Sequence, residues 1–268
     1  MNAKERRQKI GYLLQEKPVS VEELAGRFEV STSTIRRDLE TMTKAGGIVR
    51  TYGGAQTTGG TERSLRERES IATGEKFAIG RLASTFVEPG SVVILDAGTT
   101  VGSLAKNLVY YEGITVVTNG LTVTNVLEHS EGIELIVVGG TLRHISSGFI
   151  GPLAEQAISG ITADFAFLSA DGVLAARGLS ESTAEQASLK RMMVENAHDV
   201  YVLADSTKLG LGSSHWWTPL DRPWTLITDD NATEQQLEPF RALGNVSIQI
   251  ARTTDPDMTP NSPISGPR

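Results

Sequence analysis

The sequence predicts an α/β protein in two parts, an N-terminal winged helix-turn-helix and a C-terminal, mostly parallel α/β domain. Three observations carry that expectation. Two helix starts, at Ser20 and Ser31, lie close together in the first 55 residues, and each opens on a hydroxyl suited to capping. From Val92 to Asp230 the chain repeats one pattern: a short apolar, β-rich run, a glycine or polar corner, then helical periodicity. The formal charge of −7 is divided unevenly, with ten Lys/Arg against seven Asp/Glu in residues 1–55 and fifteen against twenty-five beyond them. That is a mildly basic head on an acidic body.

Composition narrows the classes further. With no cysteine there is no disulfide, thiolate nucleophile or cysteine-ligated metal, and no cofactor is expected. The charged N-terminus lacks the apolar run of a signal peptide, and no stretch reaches the ~18 apolar residues of a membrane span. A cytoplasmic protein with no membrane partner is the expectation.

In the head, Ile10, Leu13 and Leu14 give helical spacing from Glu5 to Gln15, and Pro18 ends the helix by removing a donor. Ser20 with Glu23 forms a capping box for a second helix through Leu24 to about Phe28. After Glu29-Val30, Ser31 caps a third, in which Ile35, Leu39 and Met42 form an inward stripe. Thr32, Ser33, Thr34, Arg36 and Arg37 are left on the opposite side. Hydroxyls and guanidinium forks suit phosphate oxygens and guanine edges, so with Ser31 they make a candidate face for double-stranded DNA. A solvated helix face is the competing explanation for any one of them. Gly46-Gly47 stops this helix, and Ile48 to Tyr52 reads as a strand turned at Gly53-Gly54, which adds a wing. Arg50 and Tyr52 are placed to reach the sugar-phosphate backbone, although Tyr52 packing on the helices explains it equally well.

Residues 56–75 read as a linker. Gln56 to Thr61 is Gly/Thr-rich, and the charged segment Glu62 to Glu69 begins a connecting helix. The third segment, 76–251, opens with a buried helix marked by Phe77, Ile79, Leu82, Ala83 and Phe86. Six apolar runs follow, at Val92–Leu95, Ile114–Val117, Leu135–Val138, Phe165–Leu168, Val200–Leu203 and Thr225–Ile227. Uninterrupted apolar strands separated by helices mean a parallel sheet buried on both faces. Their corners then share one edge, so Asp96, Thr99, Thr100, Asn119, Asp171, Asp205 and Lys208 should converge on one crevice. Gly98-Thr99-Thr100 opens a helix whose free N–H groups and dipole favour a phosphate, to which Lys76 and Lys208 add positive charge. A helix cap without ligand remains the alternative for that turn, and a loop cap for each aspartate. Together, the anion cradle and the carboxylates of Asp96, Asp171 and Asp205 point to a phosphorylated sugar. The His215-Trp216-Trp217 loop and Trp224 fit core packing and a subunit contact equally. The Pro/Thr/Ser-rich tail, 252–268, is expected to be disordered.

The head resembles the DeoR-type family of bacterial transcription regulators. The likeness rests on Arg6-x3-Ile10, Ser31-x2-Thr34-Ile35-Arg36-Arg37-Asp38-Leu39 and Gly46-x-Ile48-x-Arg50-x-Tyr52-Gly53-Gly54-Ala55. In the body the family's sensor domain is matched by Asp96 to Thr100, Val117-Thr118-Asn119, Gly139-Gly140, Gly178-Leu179-Ser180 with Glu185 and Lys190, and Leu203 to Lys208. The resemblance implies that the Ser31 helix reads an operator and that Asp38 is structural. It implies a body similar in fold to ribose-5-phosphate isomerase and a sugar-phosphate effector. Thr99 and Thr100 would go to the phosphate, Lys76 and Lys208 to the phosphate or its neighbouring oxygens, and Asp171 and Asp205 to hydroxyls. Asp96, Gly98, Asn119 and Gly172 complete the expected effector site. Glu181, Glu185 and Lys190 fall on or near the next helix and are candidates for the rim, although Glu185 and Lys190 read more readily as a salt-bridged surface. The function implied is a repressor of carbohydrate-metabolism genes rather than an enzyme, acting as a dimer or tetramer on repeated half-sites. The competing reading is a sugar-phosphate isomerase or deaminase with Asp171 or Glu185 as general base. A dinucleotide-binding protein is disfavoured, since no Gly-x-Gly-x-x-Gly follows the first strand.

Overall fold

The computed structural model describes residues 3–16, 19–44, 48–51, 54–57, 62–212 and 214–254. In the head, α1 (Ala3–Glu16), α2 (Val21–Phe28) and α3 (Thr32–Lys44) enclose a small core of Ile10, Leu14, Leu24, Ile35 and Leu39. Each such side chain contributes about 1.5–3 kcal/mol by leaving water. The caps form where the hydroxyls predict them: Ser20 Oγ accepts from Glu23 N at 3.0 Å and Ser31 Oγ from Thr34 N at 3.2 Å. Between these helices Glu29 takes a left-handed conformation, φ 53°, and its N–H donates back to the last turn of α2. That makes the tight connection of a helix-turn-helix.

The wing has two strands beyond the one expected. β1 (Val19–Ser20), β2 (Ile48–Thr51) and β3 (Gly54–Thr57) form an antiparallel sheet in the order β1-β3-β2. Ile48 pairs with Thr57, so Gln56 and Thr57 belong to the wing rather than to the linker. Pro18, Gly46, Gly47, Tyr52, Gly53 and Thr58–Thr61, to which the sequence assigns parts in the head and linker, lie outside the described residues, as does the side chain of Arg50, whose backbone is in β2. The tail from residue 255 onward does too.

The chain then forms α4 (Leu65–Glu69), α5 (Thr73–Ser84), β4 (Val92–Leu95), α6 (Thr99–Leu108), β5 (Ile114–Thr118), α7 (Leu121–Leu127) and β6 (Ile133–Val137). A hairpin of β7 (Thr141–Arg143) and β8 (Gly148–Ile150) leads to α8 (Pro152–Ser159) and β9 (Ala163–Leu168). Next come β10 (Gly172–Leu174), β11 (Gly178–Glu181), α9 (Ala184–Glu195), β12 (Ala197–Leu203), a 3-10 turn at Ser206–Lys208 and β13 (Trp216–Thr218). β14 (Trp224–Asp229), α10 (Glu234–Arg241) and β15 (Val246–Ala251) finish the fold.

Seven strands, in the order β15-β14-β12-β9-β4-β5-β6, make one parallel sheet. Its two faces are covered by separate apolar clusters, one around Ile94, Leu168 and Phe240 and the other around Leu95, Phe167 and Leu203. α5 and α6 lie so close that a Cβ on Gly80 would stand 2.5 Å from the Ser103 carbonyl carbon, which only glycine avoids. β15 and the small sheet β10-β11-β13 are additions to the predicted set. Trp224 is a core residue, edge-on to Phe240 at 6.1 Å between ring centroids. Trp217 stacks under the Arg177 guanidinium at 4.1 Å, and Trp216 is half exposed on β13.

Candidate functional site

The strand order reverses at β4: β5 and β6 extend the sheet on one side, and β9, β12, β14 and β15 extend it on the other. Where order reverses, loops leave the sheet in opposite directions and open a crevice at the carboxyl ends of the strands. A cavity lies there, between the corner after β4 and the corner after β9. Asp96, buried at the end of β4, accepts from Ser169 N at 3.0 Å and Ser169 Oγ at 3.2 Å, which ties the two corners together. A Cβ on Gly98 would meet Ser169 Oγ at 2.3 Å, so any larger residue has to displace the Ser169 side chain. The first turn of α6 follows directly, with Thr99 on the cavity wall. Asn119 braces the floor: its Oδ1 accepts from Ala97 N at 2.9 Å, and its Nδ2 donates to Phe149 O at 3.1 Å.

Cations reach the cavity from three separate segments. Lys190 of α9 is buried, with Nζ 2.5 Å from Glu181 Oε1 and 3.1 Å from Asp96 Oδ2, and it also donates to Ser169 O. Burial opposes its charge, but Asp96 and Glu181 prevail and raise its pKa. Burial pushes the Glu181 carboxyl up to about 8 in spite of Lys190, helped by the neighbouring Asp171 and Asp96 charges. Lys208 donates to Ala170 O at 2.8 Å; burial holds its pKa down, and Arg68 and Lys190 repel it further while Asp205 and Asp171 work the other way. Lys76 is buried just behind, with Nζ on the Arg68 carbonyl, and is lowered to about 8 by burial and then by Lys208. Arg68 of α4 points in from the connecting segment, with Nη1 3.5 Å from Asp171 Oδ1 and Nη2 3.3 Å from Ile145 O.

Of the residues singled out from sequence, Asp96, Gly98, Thr99, Asn119, Asp171 and Lys208 line this one cavity. Four others do not line it. Thr100 faces the interior with no exposure, and its Oγ1 has no partner. Lys76 lies behind Arg68. Gly172 is a strand residue pressed against Leu211, where a Cβ would stand 2.4 Å from the Leu211 carbonyl oxygen. Asp205 spends its carboxylate on the 3-10 turn, accepting from Thr207 N at 3.2 Å and from the Thr207 hydroxyl. The expectation that Glu185 and Lys190 form a salt-bridged surface is corrected: Glu185 is exposed, whereas Lys190 is buried at the centre. Lys190 shares an inward stripe with Ala187, Met193 and Val194, at helical spacings of three and four. That spacing was the available signal. Arg68, Ser146, Ser169 and Gln186 also line the cavity and were not singled out from sequence.

In the head, Ser31, Ser33, Arg36 and Arg37 are exposed on α3, with Thr32 and Thr34 half-buried beside them. Ser31 Oγ lies 2.8 Å from Ser33 Oγ and 2.9 Å from Thr34 Oγ1, so the hydroxyls form one cluster at the start of the helix. Asp38 points the other way, buried, accepting from Arg6 Nε at 2.6 Å and Arg7 Nη1 at 3.1 Å. Asp38 therefore fastens α1 to α3, the structural part that the resemblance implied.

Residues 6–59 match the DeoR-like helix-turn-helix domain and residues 71–230 the DeoR C terminal sensor domain. The chain belongs to the DeoR family. It is a DNA-binding transcription regulator of DeoR type with a sensor domain. It is 36% identical to a putative aga operon transcriptional repressor of Escherichia coli O157:H7, over 89% of this chain and 90% of that one. It is 34% identical to the transcriptional repressor GlcR of Bacillus subtilis, over 82% and 85%. It is 31% identical to the lactose phosphotransferase system repressor of Lactococcus lactis, over 90% and 96%. Among solved structures, ribose 5-phosphate isomerase A from Methanocaldococcus jannaschii overlaps 51% of this DeoR-family chain and 54% of its own, with 17% identity and a TM-score of 0.39. Among the described residues no helix is long and apolar enough to cross a membrane.

Proposed function

We propose that this DeoR-type regulator represses genes of carbohydrate metabolism, and that its operator affinity changes when a phosphorylated sugar enters the cavity at the switch point. The observation that carries the reading is the crowding of cations there. Lys208 and Lys76 are each disfavoured by burial and each repelled by Arg68, and Lys208 also repels Lys76. A phosphate dianion relieves that cost, and the free N–H groups at the start of α6 favour the same charge. Asp171, on the opposite wall, offers acceptor oxygens for sugar hydroxyls. The DNA-binding part of the reading is supported by the exposed Arg36 and Arg37 beside the hydroxyl cluster of α3. The relatives named as repressors of the aga operon and of a lactose phosphotransferase system favour a carbohydrate role. Operator half-sites call for a symmetric homo-oligomer.

An isomerase or deaminase activity is disfavoured by the state of the expected bases. Asp171 is engaged by Ser182 Oγ at 2.6 Å and by Arg68, and Glu185 is exposed and outside the cavity.

For the ligand to regulate, it has to bind the DNA-competent and DNA-incompetent arrangements with different affinities. The test is fluorescence anisotropy of the full chain on DNA from upstream of its own gene, at fixed salt, with a panel of sugar phosphates and their unphosphorylated parents. A change in DNA affinity with one phosphorylated sugar and not with its parent is the expected result. Tight DNA binding that no member of the panel alters would overturn the effector part, and turnover of any of them would revive the enzyme.

A further inference from the structure

Arg68 belongs to neither of the predicted site motifs, yet it occupies a wall of the cavity. It comes from α4, in the segment that joins the DNA-binding head to the sensor domain. Its guanidinium is poorly satisfied. The contact to Asp171 is long at 3.5 Å, the one to Ile145 O is 3.3 Å, the nearest oxygen of Glu62 is 4.0 Å away, and Nε is buried with no partner. The side chain is partly buried, at 19% exposure; a buried N–H without a partner ordinarily costs about 1–3 kcal/mol, and a planar guanidinium fork is well completed by a tetrahedral or carboxylate oxyanion. The segment carrying it is held on the sensor domain by only a few other contacts. Leu65 N donates to Ile145 O at 2.9 Å, and Arg143 forms a two-pronged ion pair with Glu62, one prong at 2.7 Å. Lys76 Nζ secures the Arg68 carbonyl from below.

We propose that Arg68 grips the phosphate of the bound sugar, so that ligand occupancy fastens the connecting segment to the sensor domain. This rests on the phosphorylated-sugar reading above and adds to it the residue that links the ligand to the segment leading to the head. An oxyanion bound at the start of α6 lies in the same cavity as Arg68, and it takes the guanidinium N–H groups from the long Asp171 contact, so that Asp171 is released to the sugar hydroxyls. The segment is otherwise held by Glu62, Leu65, Lys76 and the long Arg68 contacts to Asp171 and Ile145, and the oxyanion adds a further anchor.

The test uses the full-length protein with inorganic phosphate and a panel of hexose and pentose phosphates as probes. Affinity is read by calorimetry, and the state of the segment by the rate of tryptic cleavage at Arg63 and Arg66, both exposed. In the wild type, phosphate or a sugar phosphate is expected to bind and slow cleavage there. Arg68→Ala is expected to weaken binding about ten- to a hundredfold and to abolish the protection, and Arg68→Lys to recover only part of the affinity. Arg66→Ala, on the exposed side of the same helix, is the control and should bind as the wild type does. Near-UV spectra that match between variants exclude misfolding. If Arg68→Ala binds and protects like the wild type, the grip is overturned while the effector reading stands. If the wild type itself binds none of the probes, both fall.

Discussion

Replacing Asp38 by alanine should detach the DNA-binding head from its fold while leaving the sensor domain intact. The carboxylate is buried, at 4% exposure, and holds Arg6 at 2.6 Å and Arg7 at 3.1 Å. The Arg6 side chain is itself only 10% exposed, so removing its partner strands a buried charge, which costs about 3–5 kcal/mol. The Arg7 side chain is 32% exposed, and its pair adds at most about 1 kcal/mol. A unit the size of residues 6–59 has about 3–8 kcal/mol of stability in total, so the loss is comparable with all of it. The distribution of tryptophan gives a clean assay. All three tryptophans, Trp216, Trp217 and Trp224, lie in the sensor domain, whereas far-UV circular dichroism sees the helices of both parts. In a urea titration, Asp38→Ala should lose part of its helical signal at low denaturant, with the fluorescence transition unmoved, and DNA binding should fall with the early loss. Coincident wild-type transitions and an operator affinity within threefold of wild type would show that this ion pair does not hold α1 on α3.

Three further outcomes follow from single side chains. Arg36→Ala changes an exposed residue of α3, so both unfolding transitions should stay in place while operator affinity falls about ten- to a hundredfold; unchanged affinity in anisotropy would remove α3 from the interface. Glu181, raised to about 8 by burial, binds its proton more tightly folded than unfolded. Its stabilising contribution is therefore complete below about 4.5 and is lost as pH rises toward 8. Thermal melts at pH 6 and pH 8.5 should show a smaller fall in midpoint for Glu181→Gln than for the wild type, and an equal fall would contradict the placement of that proton. Gly98→Ala forces a methyl group onto Ser169 Oγ, so it should cost about 1–3 kcal/mol in a denaturant titration and weaken phosphate binding by displacing the start of α6; a neutral result in both would mean the corner has room to yield.

What could be read from sequence depended on how local the signal was. The β4, β5, β9 and β12 strands announce themselves as unbroken apolar runs because both faces of the sheet are covered. β15, at the sheet edge, alternates Val246, Ile248 and Ile250 with polar residues and lies after the last repeat of the pattern, so it carries no such signal. β1 has two residues and exists only because β3 runs beside it. The corners after β4 and β9 could be foreseen as one site, since parallel strands bring their carboxyl ends together. Asp205 and Gly172 show the limit of that logic, since a residue at the right edge can still turn its side chain into its own loop. Lys190 is hard to place from sequence because a charged residue among Glu185 and Arg191 looks solvated unless its spacing to Ala187, Met193 and Val194 is weighed first. Arg68 carried no local signal at all: its partners Ile145 and Asp171 are 77 and 103 positions away.

The contact between Gly80 and Ser103 gives the sensor domain a mechanical property. Two helices separated by side chains can slide as those side chains change rotamer, but here the backbones of α5 and α6 touch, leaving no cushion between them. Such a contact would make the two helices shift together. One end is the first turn of α6, on the cavity wall at Thr99, and the other is the first turn of α5, which starts at Thr73, four residues after α4 ends at Glu69. Under the proposed effector reading, a tilt of α6 on closing over a ligand would be passed through this contact to α5, and so to the end of the segment that follows α4.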